Sequence, residues 1–106
     1  MMPDASSGER YIERRTVSRK TPGDGKLEIT KVAAAGLEPL GHEFRVVVGE
    51  RAGDAHLGTM PCTCRGDANP HVHYFVESDL FRTLTAGATF DLVVDDARKR
   101  LLVLDA

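Results

Sequence analysis

Residues 43–50, Glu-Phe-Arg-Val-Val-Val-Gly-Glu, carry the plainest strand pattern in the chain. Phe44, Val46 and Val48 recur with a period of two, which puts them on one face of an extended segment. Arg51-Ala-Gly-Asp54 then reads as a turn, and residues 55–63 as a returning strand. Pro61 interrupts that strand and, lacking an N–H, suits an edge or a bulge.

Toward the N-terminus, Ala33 to Gly41 reads as a loop broken by Gly36, Pro39 and Gly41. Leu27 and Ile29 alternate with Glu28 and Thr30 as in a half-buried strand. Thr21-Pro-Gly-Asp-Gly25 is a strong turn signal, and residues 9–20 form either a short helix or a charged edge strand. The two segments together read as a hairpin. Toward the C-terminus, Arg65 to Pro70 is a polar loop and His71 to Glu77 a strand. Val72, Tyr74 and Val76 face one way; His71, His73 and Phe75 face the other. Ser78 is a suitable cap for a helix near 79–85, whose apolar stripe is Leu80, Phe81 and Leu84 and whose stop is Gly87. Two more strands follow, 88–95 with Phe90, Leu92 and Val94, and 99–105 with Leu102 and Leu104, joined by a turn at Asp95 to Arg98. The expected architecture is mainly β (a β-rich α+β class). It has about six mostly antiparallel strands in a small barrel or folded-over sheet, with one short helix. Residues 1–8 are expected to be a disordered leader and 9–106 a single domain.

With 106 residues, 42% of them hydrophobic and 28% charged, the chain has the make-up of one globular domain. A net charge of -2 offers no basic surplus for nucleic acid or an anionic membrane. The runs Ala33–Ala35 and Leu101–Leu104 are far too short to span a bilayer. Arg14, Arg15, Arg19, Lys20 and Lys26 are interleaved with Glu9, Glu13 and Asp24 and have no aromatic platform beside them. A solvated edge strand accounts for them better than an RNA site. No positively charged start and apolar core open the chain, as a secretory signal would have. The two cysteines, one residue apart, would close a strained disulfide ring that restrains little of the unfolded chain. A reducing, cytoplasmic setting is therefore expected.

Those cysteines belong to the most distinctive group in the sequence, Cys62-x-Cys64 and His71-x-His73. Zinc favours thiolate sulfur and imidazole nitrogen, usually four ligands in a tetrahedron. In extended chain each i, i+2 pair points to one side, and the intervening loop can fold one pair onto the other. Standard zinc modules use wider spacings within each pair. On two flat strands the four side chains would also form a rectangle, so one pair, the cysteines beside Pro61, is expected in a loop or bulge. Zinc is the expected metal at Cys62, Cys64, His71 and His73. Met60 would add a soft sulfur suited to copper, and iron ranks below zinc as well. Four protein ligands leave no open position, so the site is expected to be structural.

Two other chemistries compete. His71-x-His73 followed by Glu77 resembles, over seven residues, the first metal motif of the cupins. That resemblance implies an open His/His/Glu site on a small barrel metalloenzyme. The second cupin motif would need a later histidine, and none follows His73. The Cys-x-Cys pair also allows thiol redox exchange, with His71 lowering a thiol pKa, but no thioredoxin-like frame surrounds it. His42 and His56 read as isolated, and Asp91, Asp95 and Asp96 as turn and solubility residues. No catalytic set is complete, so the chain is expected to be a zinc-stabilised module that binds a protein partner, with no membrane or nucleic-acid role.

Overall fold

A computed structural model describes residues 9–62, with Cys62 as backbone only, and 71–106. The expected leader and the expected loop 65–70 lie outside the described residues. The described residues form β1 (Glu9–Thr16), α1 (Thr21–Asp24), β2 (Lys26–Ile29), α2 (Lys31–Leu37), β3 (Glu43–Val48), β4 (Arg51–Cys62), β5 (His71–Glu77), β6 (Thr89–Asp95) and β7 (Arg100–Asp105). Short 3-10 turns at Glu38–Leu40 and Asp79–Thr83 complete them. The strands make one curled, half-barrel sheet in the order β1-β6-β7-β3-β4-β5-β2. Every neighbouring pair is antiparallel except β3 and β7, which run parallel. The mainly β architecture is as expected, with seven strands in place of about six.

Four local readings shift. The turn after β3 lies at Gly49 and Glu50, where Gly49 has φ +63°, and residues 51–54 already pair in β4. Residues 31–37 are a helix, not a loop. Thr30 Oγ1 accepts from the Ala33 amide at 3.1 Å, and an alanine run follows, the residue with the strongest helix propensity. The expected helix after Ser78 is a 3-10 turn, with Ser78 capping the Leu80 amide. In β7 the buried residues are Leu101 and Val103, and Leu104 is exposed. The position of Pro61 follows its chemistry. The pairing of β4 with β3 ends at His56, so from there to Cys62 the strand has β5 alone as ladder neighbour, and a residue without an N–H is tolerated.

The larger difference is β1 and β2. They do not pair as a hairpin but stand at opposite edges of the sheet. The curl brings those edges together, and side chains bridge the seam. Thr30 donates to Glu13 through its hydroxyl (2.6 Å) and its amide (3.1 Å), and Arg15 Nε donates to the Glu28 carbonyl (3.1 Å). Helix α2 lies beside the seam. It buries Ala33, Ala34 and Leu37, and its Gly36 carbonyl accepts from Arg10 (3.0 Å). Inside the curl, Leu27, Leu37, Val46, Val76, Phe81, Leu92, Val94 and Leu101 are fully buried. Replacing Glu13 by Ala removes both acceptors of Thr30 and is expected to cost about 1.5 kcal/mol, read as a lower urea midpoint at unchanged m.

Candidate metal centre at the tip of β4 and β5

The β4–β5 ladder begins with His56 opposite Glu77 and ends with Cys62 opposite His71. Residues directly opposite in an antiparallel pair share a face, so positions 60 and 62 of β4 stand beside 73 and 71 of β5. Val76, on the other face of β5, is fully buried. The apolar face expected for this strand is therefore real at its inner end. At the tip, Val72 has run out past the core and is 45% exposed.

His71 and His73 come together as expected, with ring centroids 4.9 Å apart in an edge-on arrangement. Cys62 is described by its ladder position opposite His71, and Cys64 lies outside the described residues. Among the described residues no three histidines, cysteines, aspartates or glutamates gather closely enough to hold a metal. His73 instead brings in a residue that the sequence did not nominate. Its Nδ1 lies 2.7 Å from Glu28 Oε2. Glu28 is opposite Phe75 in the β2–β5 ladder, which makes it the diagonal neighbour of His73, within reach of a long side chain. The two residues are 45 positions apart in the chain, so no local spacing announces the contact.

Glu77, the third member of the cupin-like grouping, is elsewhere. Four residues of extended strand separate it from His73, about 13 Å. Its carboxylate lies 3.1 Å from His56 Nε2. His56 is in turn 5.8 Å, centroid to centroid, from His42, so these two histidines form a pair and are not isolated. His56 and Glu77 line a groove of about 680 Å³. The charges of that groove are largely matched within the chain: His56 with Glu77, Arg45 with Asp54 at 2.6 Å, and Arg82 with Asp79 at 3.5 Å.

Two further ion pairs tie β1 to β6 and to the turn after it. Arg14 binds Asp91 at 2.9 Å, and Arg10 binds Asp96 at 2.6 Å. Each guanidinium holds its carboxyl below the ordinary carboxylate range. Part of the N-terminal basic run is thus committed to acidic residues of the same sheet. No helix among the described residues is long and apolar enough to cross a membrane. Compared with models of known protein families and with curated proteins, the chain matches none.

Proposed function

We propose that this chain is a small cytoplasmic domain whose β4–β5 tip is clipped by a structural zinc ion, held by Cys62, Cys64, His71 and His73, and that it acts by binding a protein partner. The observation that carries this reading is the meeting of His71 and His73 on one face, with Cys62 opposite His71 at the end of the ladder. Two imidazoles and two thiols are a donor set that fits zinc. The strand pairing alone contributes little apolar burial at the tip, where a cross-link has most to add. Met60 and Val72 flank the tip, each nearly half exposed, and offer an apolar contact to a partner. A four-ligand site keeps no coordination position for a substrate, which favours binding over catalysis.

Elemental analysis of protein purified without added metal tests the reading. The wild type is expected to carry about one zinc per chain, and Cys64→Ser or His73→Ala well under half of that. Unchanged zinc in Cys64→Ser would overturn the four-ligand set, and a wild type without metal would overturn the reading itself. Copper in place of zinc would bring in Met60, which lies opposite His73 in the ladder.

A further inference from the structure

The two halves of the sheet differ on their outer face. Register sets an apolar row across β1, β6, β7 and β3: Tyr11 is opposite Val93, Val93 opposite Leu102, and Leu102 beside Val47. Val94, Leu101 and Val46, one residue away in their strands, are buried in the core, so the row points out of the curl. Leu104, two residues beyond Leu102, extends it. Across β3, β4, β5 and β2 an outward row reads instead Glu43, His56, Glu77 and Lys26. A sheet with one face on the core normally keeps its other face polar, as this second half does. The apolar row departs from that pattern, and Tyr11 and Leu104 remain 62% and 45% exposed. Tyr11 is also held in place. Its hydroxyl donates to Asp91 at 3.1 Å, and Arg14 Nε donates to the same carboxylate oxygen at 2.9 Å. A fixed aromatic ring loses little freedom on contact, which suits an interface anchor.

We propose that a second copy of this chain covers this face, the two sheets packing about a two-fold axis that runs along the Tyr11–Val93–Leu102–Val47 row. Such an axis lays the row on its own counterpart and turns the strands end for end, so the residues on its two sides exchange places. Glu9, two residues before Tyr11, then comes over Arg14 of the other copy, twice by symmetry. Arg14 is 61% exposed and binds Asp91 through Nε and one terminal nitrogen, which leaves donors for a second carboxylate. On β7, Leu104 comes over the apolar stem of Arg100. On β6, Asp91 comes over Asp95, whose charge Arg98 and Arg100 already cover. Four strands about 4.8 Å apart and four outward rows about 6.8 Å apart make a face of roughly 500 Å² per copy. A specific interface needs about 1,000 Å² in total, so the face is just sufficient and the dimer is expected to be weak, with a dissociation constant of about 1–100 µM. None of these residues belongs to the β4–β5 tip, and the proposal does not rest on the metal reading.

Sedimentation under reducing conditions, which keep Cys62 and Cys64 from cross-linking copies, tests the proposal. The wild type is expected to pass from the mass of one chain toward twice that mass between about 1 and 500 µM. Leu104→Arg sets a charge against Arg100 of the other copy and is expected to weaken the dimer about tenfold or more. Glu9→Arg and Arg14→Glu each bring like charges together twice, and each alone is expected to stay monomeric where the wild type is half dimer. Mixed in equal amounts at that concentration, the two are expected to dimerise again, because both cross-copy contacts are then of opposite charge. Variants that merely misfold would not be restored by mixing. A wild type that keeps the mass of one chain up to about 500 µM, or a dimer that Leu104→Arg leaves intact, would overturn the proposal. Charge variants that dimerise as the wild type does, or that stay monomeric when mixed, would overturn the two-fold arrangement.

Discussion

Withdrawing the proposed zinc with a chelator is expected to lower the midpoint of thermal unfolding by about 15 °C. A ligand that binds only the folded chain stabilises it by about 4 kcal/mol when present at a thousand times its dissociation constant. In a domain of this length each kcal/mol is worth about 4 °C or more. The expected loss is local in origin. Beyond His56, β4 pairs with β5 alone, and Met60 and Val72 project into solvent on its two faces. Without a cross-link the tip has main-chain hydrogen bonds and little buried apolar surface, the profile of a segment that opens before the rest. The interior built on Val46, Val76, Leu92, Val94 and Leu101 takes no buried residue from the described part of the tip. The chelated protein should therefore keep its strand signal in circular dichroism at room temperature, unlike a zinc finger, which unfolds outright. Melting curves with and without chelator, combined with amide exchange along β4 and β5, read both parts. A midpoint that stays put on complete removal of metal would discard a structural role for it.

The sequence disclosed those parts of the fold in which one face of a strand is buried and the other is not. Phe44 and Val46, and Phe90, Leu92 and Val94, alternate with polar or less buried neighbours, and the core lies on the expected side. The run Leu101 to Leu104 has no alternation, so nothing local fixes which pair faces inward; the contacts of β7 with β6 and β3 decide it. Glycine and proline punctuation hid α2, although Thr30 and the three alanines after Val32 were available as a cap and a helix-forming run. The turn signal at 21–25 was genuine and folds as the single turn of α1. A turn, however, does not reveal whether the strands on either side of it pair. Here β1 joins β6 and β2 joins β5, and the edges meet only because the whole sheet curls. The candidate site divides in the same way. His71 and His73 share a face because strands have a period of two, which any sequence displays. The contact from Glu28 to His73 crosses two strands joined by long-range pairing, and it becomes visible only when the register of β2 on β5 is known.

Asp95→Asn is expected to cost about 3 kcal/mol at pH 7, more than a charge substitution on the surface of this sheet would. Asp95 ends β6 at the hairpin to β7 and is 2% exposed. It accepts from Arg100 Nε at 2.9 Å, from the Arg98 amide at 3.2 Å and from the Arg98 guanidinium at 3.4 Å. The hairpin itself is tight, with Lys99 at φ +54°, and the carboxylate is what ties its two ends together. Asparagine has the same shape but no charge, so Arg100 keeps its place without its counterion. That penalty is at the lower end of the range for a broken buried pair, because both arginines still reach water. The pH dependence follows from the same contacts. Burial alone would raise the Asp95 carboxyl, but Arg100 and the amide and side chain of Arg98 outweigh it and hold the group below its ordinary value. Asp91 beside Arg14 and Asp96 beside Arg10 are lowered too. A carboxyl lowered on folding binds fewer protons in the folded chain than in the unfolded one. Its stabilisation is therefore complete above the unfolded carboxylate value of about 4 and is lost as the pH falls through the folded value. The wild type should accordingly lose stability steeply below pH 4, and Asp95→Asn should lose less over the same interval, having already lost its share at neutral pH. Urea unfolding at pH 7 and at a series of values below pH 4 measures both effects. Parallel curves for the two proteins would mean that Asp95 is not among the groups that drive acid unfolding.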